Sequence, residues 1–220
     1  MLVCLMRIKN EEKNIRRTFD AMPFVDHFIV VDNGSTDGTI ELIKQYPSTI
    51  LHTQGFNPEK DIQLTYDVAL KMGADWALQM DADEEWEKRA ATDLIKLTQQ
   101  DLVVGWTFRK MPFIMSDEFY RIEGEWAAFT MYEMQFAWPI LLFKCQPNCY
   151  FEDPRSTDQG VVKGLRGPVR ASDLRVKHWL IDSEERMKHK LTFYPRILPD
   201  RDVHYEYADH ENAVFMRWHE

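Results

Sequence analysis

The first hundred residues alternate two hydrophobic patterns. Short apolar runs at residues 2–6, 27–32, 48–53 and 75–80 read as buried strands bounded by polar turns. Between them apolar positions recur at helical spacing. Asn10-Glu11-Glu12 opens a helix carrying Ile15, Phe19 and Met22, and Ile40 and Ile43 follow the 33–38 turn in a second helix, which Tyr46-Pro47 stops. Ile62, Tyr66, Ala69 and Leu70 line a third helix over 61–72, closed by Gly73, and residues 92–97 lie in a fourth. Strands alternating with helices of this length predict parallel βαβ units with right-handed crossovers. Ligands of such sheets bind beyond the carboxyl ends of the strands. Acidic residues fall at three of those ends: Glu11, Asp32 and Asp81–Asp83.

Beyond about residue 101 the pattern changes. Residues 102–111 and 138–143 read as strands, and the aromatic, acidic stretch 116–135 has no clean period and is expected to lie over the crevice as an insertion. Residues 152–170 have a loop composition, with Pro154, Gly160, Gly164, Gly167 and Pro168. A strand over 174–179 ends at His178-Trp179, Ser183 caps a helix to about Tyr194, and the tail from Asp202 is expected to be helical.

Composition narrows the partners. The 220 residues carry 27 Lys and Arg against 36 Asp and Glu, a formal charge of −9. That excess argues against nucleic acid and anionic membrane surfaces, both of which need clustered cations. The longest dense apolar run, Phe136 to Phe143, contains Pro139 and is far shorter than the roughly 20 residues of a membrane span. Cys4, Cys145 and Cys149 are too few for a disulfide framework and favour a reducing compartment, so a soluble, cytoplasmic protein is expected. Cys145 and Cys149 read as buried thiols, because no neighbouring Cys or His pair completes a metal site.

Asp81-Ala82-Asp83 places two carboxylates one residue apart at a strand mouth, where hard cations such as Mg²⁺ or Mn²⁺ can bridge protein oxygens to phosphate. The same acids would also suit a solvated helix start. In Asp32-Asn33-Gly34-Ser35-Thr36-Asp37-Gly38-Thr39, residues 35–39 read as turn and cap, whereas Asp32 ends its strand in the crevice and can accept a hydrogen bond from a base or ribose.

Together, MRIKNEEKNI, FIVVDNGSTDGTIELI and DWALQMDADEEW, in that order and spacing, resemble the family 2 glycosyltransferases of the GT-A fold, closely over residues 2–100 and loosely over 101–195. The resemblance implies an α/β fold, with a Rossmann-like, mostly parallel sheet flanked by helices and a smaller mixed acceptor-side region. Residues 1–100 would form the nucleotide-sugar-binding half and 101–220 the acceptor half of one compact domain. It implies transfer of a single sugar from a nucleotide-diphosphate sugar, with UDP as the favoured nucleotide. The acceptor would be a hydroxyl of a glycan, lipid-linked or small molecule, and the transfer inverting. Arg7, Asn10, Glu11 and Asp32, with Asp81 and Ala82, would cradle the donor. Asp83 and Asp81 would hold Mn²⁺ or Mg²⁺ on its diphosphate, with His178 completing the metal site. The catalytic base would be Asp153, with Asp158 or Glu152 behind it.

Two features depart from the family pattern. The helix before the metal strand reads Leu64-Thr65-Tyr66-Asp67 where many relatives carry a diphosphate-binding Arg, so that role is absent or moved to Arg7 or Lys163. The Gln-x-x-Arg-Trp motif of processive synthases is missing, which fits transfer of single sugars. A dinucleotide-binding dehydrogenase is disfavoured because no GxGxxG follows the first strand. A phosphatase with its DxD directly after the first strand does not fit a motif at residue 81, and a nucleotidyltransferase would show a Gly-rich phosphate loop early in the chain. A sugar- or nucleotide-binding domain without turnover remains the non-enzyme alternative.

Overall fold

The computed structural model describes residues 1–55, 57–121, 139–152, 161–181, 183–188, 192 and 215–220. The chain divides into two compact units, Met1–Phe108 with Pro139–Leu174 and Arg109–Trp138 with Arg175–Glu220.

The first unit is built on β1 (Leu2–Ile8), every residue of which except Arg7 is buried. Such a continuous apolar run suits a strand covered on both faces. It pairs in parallel with β2 (His27–Asp32) on one side and β4 (Trp76–Gln79) on the other, and β2 pairs in parallel with β3 (Ser48–His52). Beyond β4 lie β8 (Ile140–Lys144) and the start of β6 (Gly105–Ile114), both antiparallel to their neighbours. The order β3-β2-β1-β4-β8-β6 is therefore a mixed sheet, parallel in its first four strands. The chain runs outward from β1 to β3 and then returns to the far side of β1 as β4. This reversal puts a crevice at the carboxyl ends of β1 and β4.

Helices cover both faces. Phe19 of α1 (Ile15–Asp20) stacks on Phe28 of β2, with ring centroids 3.9 Å apart. On the opposite face α3 (Pro58–Lys71) sets Ile62, Tyr66 and Ala69 against Val3, Leu5, Ile29, Ala77 and Phe143. The hydroxyl of fully buried Tyr66 donates to the Gln146 carbonyl at 2.9 Å and accepts from its N–H at 2.8 Å, so the ring is buried without an orphaned polar atom. The short α2 (Thr39–Ile43) buries Ile43, and α4 (Ala90–Thr98) buries Ala90 and Leu94. A short β5 (Glu84–Trp86) follows the DxD turn.

In the second unit β7 (Phe119–Arg121) pairs with β12 (Phe215–Arg217) and, through Tyr120, with Phe113 of β6. Phe113, Tyr120, Trp179 and Trp218 form its aromatic core, and the Arg175 guanidinium lies 4.0 Å from the Trp218 ring centre. Strand β11 (Val169–Ile181) and β6 each run from one unit into the other.

Several boundaries differ from expectation. Helix α1 starts at Ile15 rather than at Asn10, because Asn10 takes a left-handed φ of 55° that no helix residue adopts. Helix α3 starts earlier, at Pro58, where Asn57 accepts the Lys60 N–H at 3.1 Å and proline suits the first helical turn. Strand β6 begins three residues later than expected, and Leu102 is 82% exposed. The expected loop 152–170 overlaps a hairpin of β9 (Tyr150–Glu152) and β10 (Val161–Lys163), and β11 starts at Val169, well before residue 174. The Arg186 N–H bonds the Ser183 hydroxyl at 3.2 Å, as a cap should, and residues 184–188 are helical. Of the expected insertion 116–135, residues 119–121 form β7 and 122–135 lie outside the described residues. Of the expected helical tail, 202–214 also lie outside them, whereas residues 215–217 are strand, held by the pairing with β7 and the burial of Trp218.

Candidate functional site

The register fixes which loops meet. Ile8 lies beside Asp32 and Asp32 beside His52, while Leu5 lies beside Gln79. The Asn33 N–H still bonds the Ile8 carbonyl, and the Met80 N–H the Leu5 carbonyl. Arg7, Asn10, Glu11, Asp32, Asp81, Ala82 and Asp83 are thereby gathered on one edge.

The loops after β1 and β2 are laced together. The Asn10 N–H donates to the Ser35 hydroxyl at 2.9 Å, and Asn10 Oδ1 accepts the Thr36 N–H at 2.8 Å. The Glu11 N–H donates to Thr39 Oγ1 at 2.8 Å. Glu12 bonds the next turn twice, its N–H to Asp37 at 3.2 Å and its carboxylate from the Gly38 N–H at 3.1 Å. A Cβ on Gly38 would come within 2.5 Å of that carboxylate, so a larger residue there would push the Glu12 side chain aside. Gly34 turns with φ 86°, the left-handed region that glycine enters without strain. Asn10 N–H and Oδ1 thus brace the loop, and the Glu11 carboxylate accepts the Asn14 amide at 2.8 Å. Arg7 is half-buried and shares the α3 face of β1 with Val3 and Leu5.

Asp32 is 3% exposed. Burial alone would raise its pKa, but the Ser35 hydroxyl and N–H, His52 and the Gly34 N–H outweigh it and hold the carboxyl below its ordinary range. Two of these contacts are the Ser35 N–H at 3.0 Å and His52 Nδ1 at 3.2 Å. Next to it, the Asn33 amide donates to Thr53 Oγ1 at 2.7 Å and Asp61 at 2.9 Å, and the Thr53 hydroxyl reaches Asp61 at 3.1 Å. Asp61, 5% exposed, thus ties the start of α3 to the ends of β2 and β3.

The DxD turn is anchored from two sides. The Asp81 N–H donates to Glu84 Oε2 at 3.1 Å, and the Glu84 N–H to the Asp81 carbonyl at 3.2 Å. The Thr18 hydroxyl, fully buried in α1, donates to the Ala82 carbonyl at 2.6 Å. Asp83 is 7% exposed, Glu84 0% and Glu87 1%, the last paired with Arg89 at 3.0 Å. Burial raises the Cys4 thiol well above its usual range, and the Glu84 and Asp81 charges raise it further, a mark of the anionic field here. Among the described residues no group of three or more His, Cys, Asp or Glu is placed to hold a metal unaided. Two carboxylates of a turn nonetheless fit a hard cation that takes its remaining oxygens from water and phosphate, as Mg²⁺ does.

The remaining candidate residues lie on other elements. Glu152 ends β9, exposed, and the N–H of its neighbour Phe151 donates to Gln63 of α3 at 3.1 Å. Gln63 lies near the end of α3 that Asp61 binds to β2, so the chain runs from Cys145, bonded to Asp75 at the amino edge, through β9 toward the carboxyl edge. Lys163 pairs with Tyr150, at the other end of that hairpin from Glu152. Asp153 and Asp158 lie outside the described residues, and His178 belongs to β11 within the second unit. Thr18, His52, Asp61 and Glu84 were not predicted from sequence. Thr18 was legible as the polar residue flanking Phe19 on the apolar stripe of α1, and His52 as a strand-end residue. The bonds of Asp61 and Glu84 leave no sequence signal.

Comparison with known proteins agrees with this architecture. The Rhizobium meliloti (strain 1021) lipopolysaccharide core biosynthesis glycosyltransferase LpsC is 27% identical over 123 residues, 52% of this chain and 42% of that protein. The chain thus spans less than half the length of that relative. Crystal structures of S. aureus TarS residues 1–349, alone and with UDP, align with TM-scores of 0.56 and 0.57 at 13% identity. They cover 86% and 85% of this chain and 63% of theirs. At that identity the likeness speaks for the fold. The family model for glycosyl transferase family 2 matches residues 4–153, more than half of the chain, and includes all three loops gathered at the carboxyl edge. By that match and this fold, the chain belongs to glycosyl transferase family 2.

Proposed function

We propose that the chain transfers a single sugar from a nucleotide-diphosphate sugar, with UDP as the nucleotide, to a hydroxyl of a glycan, lipid-linked or small-molecule acceptor. The observation that carries the reading is the convergence of Arg7, Glu11, Asp32 and the Asp81–Asp83 turn where the strand order reverses. Residues 1–100 hold the donor and the later residues shape the acceptor side. Asp83 and Asp81 would hold Mg²⁺ or Mn²⁺. Such a cation, when bound, offsets the negative charge that builds on the departing diphosphate.

The chain's own residues do the rest. Glu84 and Thr18 hold the turn so that its carboxylates need no reorganisation when donor arrives. Arg7 would supply a half-buried cation to the diphosphate at an edge that also carries Glu11, Asp32, Asp81 and Asp83. An inverting transfer needs a carboxylate to take the acceptor proton, and Asp153, then Asp158 or Glu152, are the residues proposed for it. The hairpin strand that leads to them runs toward the carboxyl edge, which supports the choice.

Calorimetric titration of UDP, GDP and dTDP, with Mn²⁺ or with chelator, tests the reading. UDP should bind with metal and weaken with chelator. Failure of every nucleotide to bind with metal present would sink it.

A further inference from the structure

The Asp32 carboxylate is buried and already engaged, by the Ser35 N–H at 3.0 Å and His52 Nδ1 at 3.2 Å. It offers about four lone-pair positions. The Ser35 hydroxyl, the Ser35 and Gly34 N–H groups and His52 all approach it, and it is 3% exposed. The Ser35 hydroxyl accepts from Asn10 N–H, which leaves its own proton for Asp32. A base that bonded Asp32 directly would have to displace one of these donors.

His52 is the opposite case. Its side chain is 67% exposed at the carboxyl end of β3, and its Nδ1 lies 3.2 Å from Asp32 Oδ2. A carboxylate only accepts, so Nδ1 carries the proton. In the neutral ring Nε2 is then a bare acceptor on the side away from Asp32. From the DxD strand β4 to β3 is three strand spacings, roughly 14 Å. That separation matches an extended nucleotide with its diphosphate at β4 and its base at β3, on opposite sides of the parallel strands at their shared carboxyl edge.

We propose that His52, not Asp32, meets the base. Its Nε2 accepts the ring N–H that uracil and thymine carry at N3 and guanine at N1, and that cytosine and adenine lack. Asp32 is the positioning residue that fixes the tautomer. The inference rests on the nucleotide-sugar reading above and adds to it the residue that selects the base and the chemical class selected.

Calorimetry on the full chain with Mg²⁺ compares UDP, dTDP, GDP, CDP and ADP, and then UDP methylated at N3. One of the first three should bind about tenfold more tightly than CDP and ADP, the worth of one hydrogen bond. If UDP is that ligand, N3 methylation should cost at least as much. His52→Phe keeps a ring on the surface but removes the acceptor, and should erase the preference while CDP affinity stays unchanged. Asp32→Asn presents an amide that can donate to Nδ1 and so release the other tautomer, and it should erase the same preference. A merely structural Asp32 would weaken all nucleotides alike. CDP or ADP binding as tightly as the best of UDP, dTDP and GDP in the unaltered chain, or a preference that survives in His52→Phe, overturns the assignment and leaves the functional reading standing. Failure of every nucleotide to bind overturns both.

Discussion

Replacement of Thr18 by valine tests whether α1 holds the DxD turn. The side chain keeps its shape and loses one hydroxyl. That hydroxyl is fully buried and donates at 2.6 Å to the carbonyl of Ala82, which is 3% exposed. Removing it deletes one short bond and leaves a buried carbonyl that water does not reach, a combined cost of about 2 kcal/mol. For a chain of this size that corresponds to a fall in Tm of about 4–8 °C. The reciprocal Asp81–Glu84 bonds remain, so the turn persists but loses its fixed position against α1. Displacement of a positioning group by about 1 Å can cost on the order of a hundredfold in rate, so turnover should fall by roughly ten- to a hundredfold. Thermal melts and donor hydrolysis across a metal titration read both effects, and Thr18→Ser should restore them. A valine variant that melts with the parent and turns over at the parent rate refutes the anchoring role.

Other substitutions probe the rest of the edge. Asp83→Asn should abolish donor hydrolysis by at least about a hundredfold while leaving the circular dichroism spectrum unchanged. Asp61→Ala strips partners from Asn33 and Thr53 and should cost about 2–3 kcal/mol in urea denaturation, with Asp61→Asn recovering part of the loss. Because the folded structure holds Asp32 below its ordinary value of 3.8, this group stabilises the fold above that value. That stability is lost as pH falls through the lower folded value, so Asp32→Asn should flatten the acid limb of a stability–pH curve. Burial pushes the half-exposed Cys145 thiol up to about 12, so it should alkylate far more slowly at pH 8 than a free thiol, as followed by mass spectrometry.

The parallel core was legible because its signals are local. Strand β2 occupies the apolar run 27–32 as read, and α3 buries Ile62, Tyr66 and Ala69 from its periodic stripe. Where the two differ, the cause is a contact distant in sequence or a backbone state that periodicity does not encode. The acidic segment after Asp83 contains a strand, and Glu84 is buried there although its residue type favours solvent. The left-handed Asn10 delays α1, and Trp218, buried among aromatics from β6, β7 and β11, accompanies a strand at 215–217 where a helix was expected.

Sequence by itself determined the βαβ order, the family-like motifs and the acidic character of three strand ends, since each depends on residue type and spacing over a few positions. Tertiary structure decided which strand ends share an edge, because β4 returns to pair with β1 across more than sixty intervening residues. It also decided how the carboxylates differ. Asp32 is enclosed by donors from its own turn and from β3, Asp83 stands on a turn tied to α1, and Asp61 is consumed in holding α3 to the sheet. A carboxylate's chemistry follows from what surrounds it, and these surroundings come from segments that the linear order keeps apart.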